Sequence, residues 1–241
     1  PSGNVQESAT LNEGVLLGKT LYFDGRLSAD GTVSCNSCHN VNKGGVDGKQ
    51  FSEGVGGKKG GRNAPTVLNA AFMSVQFWDG RAASLEDQAK GPMVNPVEMA
   101  MKDHDAVVAK LKSIKGYEPL FKNAYGDSEI TIDKVAKAIA TYERTLVSRN
   151  SPFDKYLKGN KKALGQNALA GMKLVSEIGC LTCHSGPNFA GPTMPIGTGF
   201  FQKFPLIPGS EFEAKYGFTK DQGRYEVTKN DADKNLFRVQ S

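Results

Sequence analysis

The chain has 241 residues and 25.9 kDa, 39% of them hydrophobic and 23% charged, with a mean hydropathy of −0.40. That suits one large or two modest globular domains, and recurring aromatic and β-branched residues exclude a disordered chain. Lys+Arg 30 against Asp+Glu 25 gives a net charge of +5, interspersed along the chain, which excludes a nucleic-acid arm, and no run of about 18 apolar residues offers a membrane span.

Pro1 to Gly14 is polar and holds no apolar leader stretch, so the sequence reads as a mature chain. Gly18-Lys19-Thr20-Leu21-Tyr22-Phe23 is a short helical pattern ahead of Cys35-Asn36-Ser37-Cys38-His39. From Lys43 to Arg62 the chain is at its loosest, with eight of the 28 glycines between Gly44 and Gly61. This is not a phosphate-binding loop: GVGGKKG lacks the Ser or Thr after Lys, and Gly18-Lys19-Thr20 has Gly14 one residue too close. A loose loop beside the first Cys-His motif is expected instead.

Helical spacing then takes over. Val107, Val108, Leu111 and Ile114 mark one face; Val135, Ala138, Ile139, Tyr142 and Leu146 mark a longer one, with Thr131 as N-cap. The polar, Pro-containing Ser148-Arg149-Asn150-Ser151-Pro152 sets a boundary between residues 1–150 and 151–241. Ala168, Leu169, Met172, Val175 and Ile178 form a third helical face, closed by Gly179. It leads into Cys180-Leu181-Thr182-Cys183-His184, much as Gly18–Phe23 leads into the first motif.

The rare residues carry the chemistry. Two C-x-x-C-H motifs consume all four cysteines and two of the three histidines. In such a motif the thiols of Cys35 and Cys38, or of Cys180 and Cys183, add to the vinyl groups of a haem, and the next residue, His39 or His184, becomes an axial iron ligand. The other readings explain less. A zinc ribbon sets its pairs about 15–20 residues apart, whereas Cys35 and Cys180 stand 145 apart. A redox dithiol leaves the histidines unexplained, and disulfides leave their repetition unexplained. The expectation is a mainly α fold of two cytochrome c-type haem domains with long loops and little β. Covalent attachment of haem implies export, hence a periplasmic location.

With the two motifs, the segments RNAPT (62–66), QFWDGR (76–81), DQAKGP (87–92), VEM (97–99), SPFDKYLKG (151–159) and GRYEVT (223–228) resemble the bacterial di-haem cytochrome c peroxidases and the related MauG-like enzymes over essentially the whole chain. The resemblance implies that His39 serves the peroxide-reducing haem and His184 the electron-accepting haem. It also implies that Glu98 is the distal acid, Gln88 its amide neighbour, Trp78 an electron relay and Asn63 a ligand of a calcium ion. Reducing peroxide needs a group that moves a proton between its oxygens, and with no spare His in this segment a carboxylate must do it. An ordinary Glu is a surface or capping carboxylate, and an ordinary lone Trp is a core aromatic with its N–H satisfied; context favours the functional roles. The implied partners are hydrogen peroxide, a small c-type cytochrome or blue copper donor, and a second copy in a homodimer.

The sequence departs from the family pattern twice. Many members place a His in the glycine-rich loop that masks the peroxidatic iron; here Val55 stands at about that place, and no His lies between His39 and His104. Lys58 or Lys59 could ligate only after losing a proton, so the peroxidatic haem is expected to be open. His104 is expected to have no ligand role. The second departure concerns the Met that family members put on the second haem, which falls past Ser241. DKNLFRVQS breaks off inside a family segment, so the chain is read as incomplete, with Met194 in PTMPIG as the substitute ligand if it is not. The competing functions are a MauG-like oxidase acting on a protein and a non-enzymatic di-haem electron carrier, the latter having no use for a distal carboxylate.

Overall fold

The computed structural model describes the backbone from Gly3 to Ser241 and side chains from Leu11 onward. Pro1 and Ser2, the start of the stretch read as polar, lie outside the described residues. Two compact units emerge, one of residues 1–71 and 84–146, the other of residues 72–83 and 147–241. The expected predominance of helix holds; a single two-stranded sheet is the only one among the described residues. No described helix is long and apolar enough to cross a membrane.

The first unit holds α1 (Gly3–Phe23), α2 (Cys35–Cys38), α3 (Leu85–Val94), α4 (His104–Lys112), α5 (Tyr117–Tyr125) and α6 (Ile132–Glu143). Its core draws Leu17, Leu21 and Tyr22 from α1, Val107 and Leu111 from α4, Phe121 from α5 and Val135 and Ile139 from α6, each at most 1% exposed. Burial of each such side chain contributes about 1.5–3 kcal/mol. Thr131 caps α6, its hydroxyl accepting from the Lys134 N–H at 3.2 Å, as the helical pattern predicts. Helices α1 and α6 cross where α1 carries Gly18: a Cβ there would lie 1.9 Å from the Ala138 carbonyl oxygen. His104 opens α4 with Nε2 3.0 Å from the Lys90 carbonyl, a tie to α3.

The second unit holds α7 (Pro152–Leu157), α8 (Gln166–Glu177), α9 (Glu211–Tyr216), α10 (Tyr225–Thr228) and strands β1 (Phe201–Lys203) and β2 (Leu236–Arg238). The strands pair antiparallel, with Phe201 opposite Arg238 and Lys203 opposite Leu236. Residues 72–83 join this unit and not the one that precedes them in sequence, so a single cut near residue 150 does not describe the division. The reason is backbone pairing: Gly197 N–H donates to the Ser74 carbonyl at 2.7 Å, and Arg238 N–H to the Trp78 carbonyl at 2.7 Å. Gly80, at φ +67°, lies under the Phe201 ring, where a Cβ would meet Cζ at 2.5 Å.

The two units differ in their interiors. Both clusters of buried apolar side chains among the described residues lie in the first unit. In the second, α8 is helical where the spacing predicts it and ends before Gly179 at φ +88°, but it buries none of its residues.

Candidate haem centres

The first C-x-x-C-H motif begins on α2. Neither cysteine is in a disulfide, and Cys35 packs half-buried against the core. Burial, then the nearby Glu143 carboxyl, push the Cys35 thiol up to about 12, so it is a neutral thiol at ordinary pH. His39 N–H donates to the Cys35 carbonyl at 2.9 Å, closing the turn that carries the imidazole. The ring is fixed from behind, with Nδ1 2.9 Å from the Pro65 carbonyl oxygen. A carbonyl can only accept, so Nδ1 carries the proton and Nε2 keeps its lone pair. Tyr22 hydroxyl also donates to the His39 carbonyl at 2.7 Å. Burial lowers the His39 pKa, which favours the neutral imidazole that a metal requires.

The second motif repeats the arrangement. His184 N–H donates to the Cys180 carbonyl at 2.9 Å, and His184 Nδ1 lies 3.1 Å from the Phe189 carbonyl oxygen. Nε2 is again the nitrogen with a free lone pair. A cleft of about 780 Å³ in this unit is lined by residues that include Phe153, Leu157, Met172, Val175, Leu181 and Phe189. Leu181 lies between the two cysteines, and Phe189 supplies the carbonyl that holds His184. The volume falls in the range of roughly 300–1,000 Å³ usual for cofactor sites. Met172 and Val175 bring one side of α8 to this cleft. These residues fit a haem.

Glu98 sits on a turn folded back along α3. Pro92 removes one helical N–H near the end of α3, and the chain reverses so that Met99 N–H donates to the Pro92 carbonyl and Met101 N–H to the Met93 carbonyl. Within the turn Asn95 Nδ2 donates to Glu98 Oε1 at 2.9 Å. The glycine-rich loop lies directly on this turn. Val55 N–H donates to the Glu98 carbonyl at 2.8 Å, and a Cβ on Gly54 would lie 2.3 Å from the Val97 carbonyl oxygen, so only glycine fits there. Gln88 is half-buried on α3. Lys58 reaches the Pro96 carbonyl at 3.3 Å and Lys59 the Glu53 carboxylate at 3.7 Å, so both lysines are engaged.

Trp78 is half-buried in the second unit, and Asn63 in the first donates its amide N–H to the Lys49 carbonyl at 2.6 Å. Among the described residues no group of three or more His, Cys, Asp and Glu could hold a metal ion. Sequence reasoning missed the Pro65 and Phe189 carbonyls that orient the imidazoles. No sequence signal could have found them, because every residue carries a carbonyl.

A family model described as di-haem cytochrome c peroxidase matches residues 12–162. The chain belongs to that family. The cytochrome c551 peroxidase of Nitrosomonas europaea is 44% identical over 223 residues, 92% of this chain and 63% of the relative. The cytochrome c551 peroxidase of Pseudomonas aeruginosa is 43% identical, covering 92% and 62%. The methylamine utilization protein MauG of Methylorubrum extorquens is 47% identical over 179 residues, 73% of this chain and 50% of that protein. A solved MauG-like protein associated with microbial copper homeostasis superposes with a TM-score of 0.79 at 26% identity, covering 95% of this chain and 68% of that one. The chain thus spans under two thirds of the first two relatives. Membership in the di-haem peroxidase family implies haem cofactors.

Proposed function

We propose that this di-haem peroxidase chain reduces hydrogen peroxide to water in the periplasm with electrons from a small redox protein, a c-type cytochrome or a blue copper protein. The observation that carries the reading is the duplicated, carbonyl-anchored imidazole after each C-x-x-C pair, joined in the first unit to a carboxylate on a fixed turn. Cys35 and Cys38, and Cys180 and Cys183, are the attachment thiols of two covalent haems, with His39 and His184 as iron ligands. When bound, each haem supplies a one-electron redox centre. Glu98 takes a proton from one peroxide oxygen and delivers it to the oxygen that leaves as water, while the Gln88 amide donates a hydrogen bond to peroxide. Two electrons and two protons then balance one peroxide against two waters. Trp78 is assigned to electron relay, Asn63 to a calcium ion whose other ligands are backbone carbonyls, and the chain to a homodimer.

Stopped-flow mixing of half-reduced protein with hydrogen peroxide and a reduced cytochrome tests the reading. Fast turnover is expected, and Glu98→Gln should lose about 10²–10⁴-fold in rate. Full activity in that variant would remove Glu98 from the mechanism, and no peroxide turnover at all would leave an electron carrier. The likeness to MauG sustains a second reading, a haem oxidase acting on a protein, which predicts peroxide consumption without need of a cytochrome donor.

A further inference from the structure

Asn95 follows α3 directly and is tied to Glu98 twice. Its backbone carbonyl accepts the Glu98 N–H at 3.0 Å, and its side-chain Nδ2 donates to Glu98 Oε1 at 2.9 Å. The amide cannot be turned the other way round. Its Oδ1 accepts the Val97 N–H at 3.2 Å, and a backbone N–H can only donate, so the –NH₂ end faces the carboxylate. The same Asn95 carbonyl accepts the Ala100 N–H at 2.9 Å, and Ala100 stands at φ +58°, in the left-handed region that favours glycine. The turn is thus held in a conformation that its sequence alone does not favour. Both Asn95 and Glu98 are half-buried.

We infer that Asn95 is the positioning residue of Glu98, its amide N–H fixing the carboxylate in orientation and charge for taking the peroxide proton. A general base must be ionised when its substrate arrives, and it must be aimed. A donor on one carboxylate oxygen serves both needs: it favours the charged form, and it stops the carboxylate from turning about its last bond. The backbone of Glu98 is already fixed, because its carbonyl accepts the Val55 N–H at 2.8 Å; the Asn95 amide extends that restraint to the reacting group. On the loop packed against the turn, Lys58 reaches the Pro96 carbonyl and Lys59 pairs with Glu53. On α2, burial is the main cause that raises the Cys35 and Cys38 thiols, and the Glu98 carboxyl is among the charges that add to it. Glu98 therefore lies within electrostatic reach of the first Cys-His motif.

The inference rests on the reading of Glu98 as the distal acid, and the two fail separately. Full peroxide activity in Glu98→Gln sinks that reading; the Asn95 pairing has its own readout. In oxidised, haem-loaded protein carrying isotope-labelled glutamate, an infrared pH titration follows the carboxyl band that Glu98→Gln removes. Asn95→Asp keeps the oxygen that accepts the Val97 N–H and loses the donor to Glu98, so a merely structural role predicts no change. The midpoint of the Glu98 band should rise by about one pH unit or more, and the acid limb of the rate–pH profile for peroxide should rise with it. A midpoint that stays in place or falls overturns the proposal. Should Asn95→Asp fail to fold, a double-mutant cycle with Asn95→Ala decides: a rate loss of about tenfold or more alone, and less than about threefold on top of Glu98→Gln, is expected. Equal losses in both backgrounds overturn it.

Discussion

Glu143, on α6, is 6% exposed with one carboxyl oxygen lacking a hydrogen-bond partner. Burial is the main cause that lifts its pKa to about 8. The charged groups that bear on it are Arg144, which opposes the rise, and Glu86, which adds to it. Arg144 is spent on Glu86 through two bonds of 2.7 and 3.0 Å. Between an ordinary carboxyl pKa near 4.5 and about 8 the folded chain holds a proton that the unfolded chain releases, so stability falls as pH rises through that window. Denaturant titrations at pH 5 and pH 9 should show a loss on the order of a few kcal/mol in the wild type and little of it in Glu143→Gln; an equal loss in both would refute the assignment. Val55 makes a second residue-scale case. Its N–H is bound to the Glu98 carbonyl, so the residue that stands at about the place of the family's masking His is tied to the turn that carries Glu98. A high-spin first haem is expected in the oxidised protein at neutral pH. Val55→His should turn that spectrum low-spin and slow the oxidised protein's reaction with peroxide at least tenfold; a low-spin wild type would contradict this.

At the scale of elements, the glycine at the start of each pre-motif helical pattern separates the two halves. Gly18 on α1 has the Ala138 carbonyl oxygen 1.9 Å and Tyr142 Cβ 2.9 Å from where a Cβ would stand, while Gly171 on α8 has nothing within 4 Å. Gly18→Ala should therefore destabilise the protein by about 1–3 kcal/mol or more, since backbone cannot yield as a side chain can. Gly171→Ala should be neutral or stabilise by roughly 0.5–1 kcal/mol through helix propensity. Urea midpoints compare them, and equal effects would show that α1 and α6 do not meet as described. The helices were legible because Val135, Ile139 and Tyr142 recur at the helical period and Thr131 caps them. The strands were not: Phe201–Lys203 and Leu236–Arg238 are three residues each, too short for an alternation to register. Nor was the allegiance of residues 72–83, which depends on hydrogen bonds to residues more than a hundred positions away. In the site, the cysteines and histidines stood out by spacing, whereas the Pro65 and Phe189 carbonyls that hold the imidazoles did not, since every residue carries a carbonyl.

For the molecule as a whole, stability is unevenly provided. The first unit closes on its own apolar side chains, while the second leaves Leu157, Leu174 and Ile178 at 64%, 53% and 65% exposure. Exposed apolar area of this kind marks a surface meant to be covered. Replacing both Cys180 and Cys183 by Ala should therefore loosen residues 147–241 while α1, α5 and α6 keep their protection. Hydrogen exchange on the variant measures this, with uniform loss across both units as the contrary result.

The two imidazoles hang from backbone carbonyls of Pro65 and Phe189. An anchor of that kind belongs to the course of the chain and not to any side chain. Substitution at 65 or 189 changes the residue but leaves the acceptor, so point mutation can scarcely erase the orientation of either imidazole. A gain or loss of one residue between His184 and Phe189 would move the acceptor out of reach. Evolution along this lineage is thus free to vary the letters around each motif but is held tightly to their count.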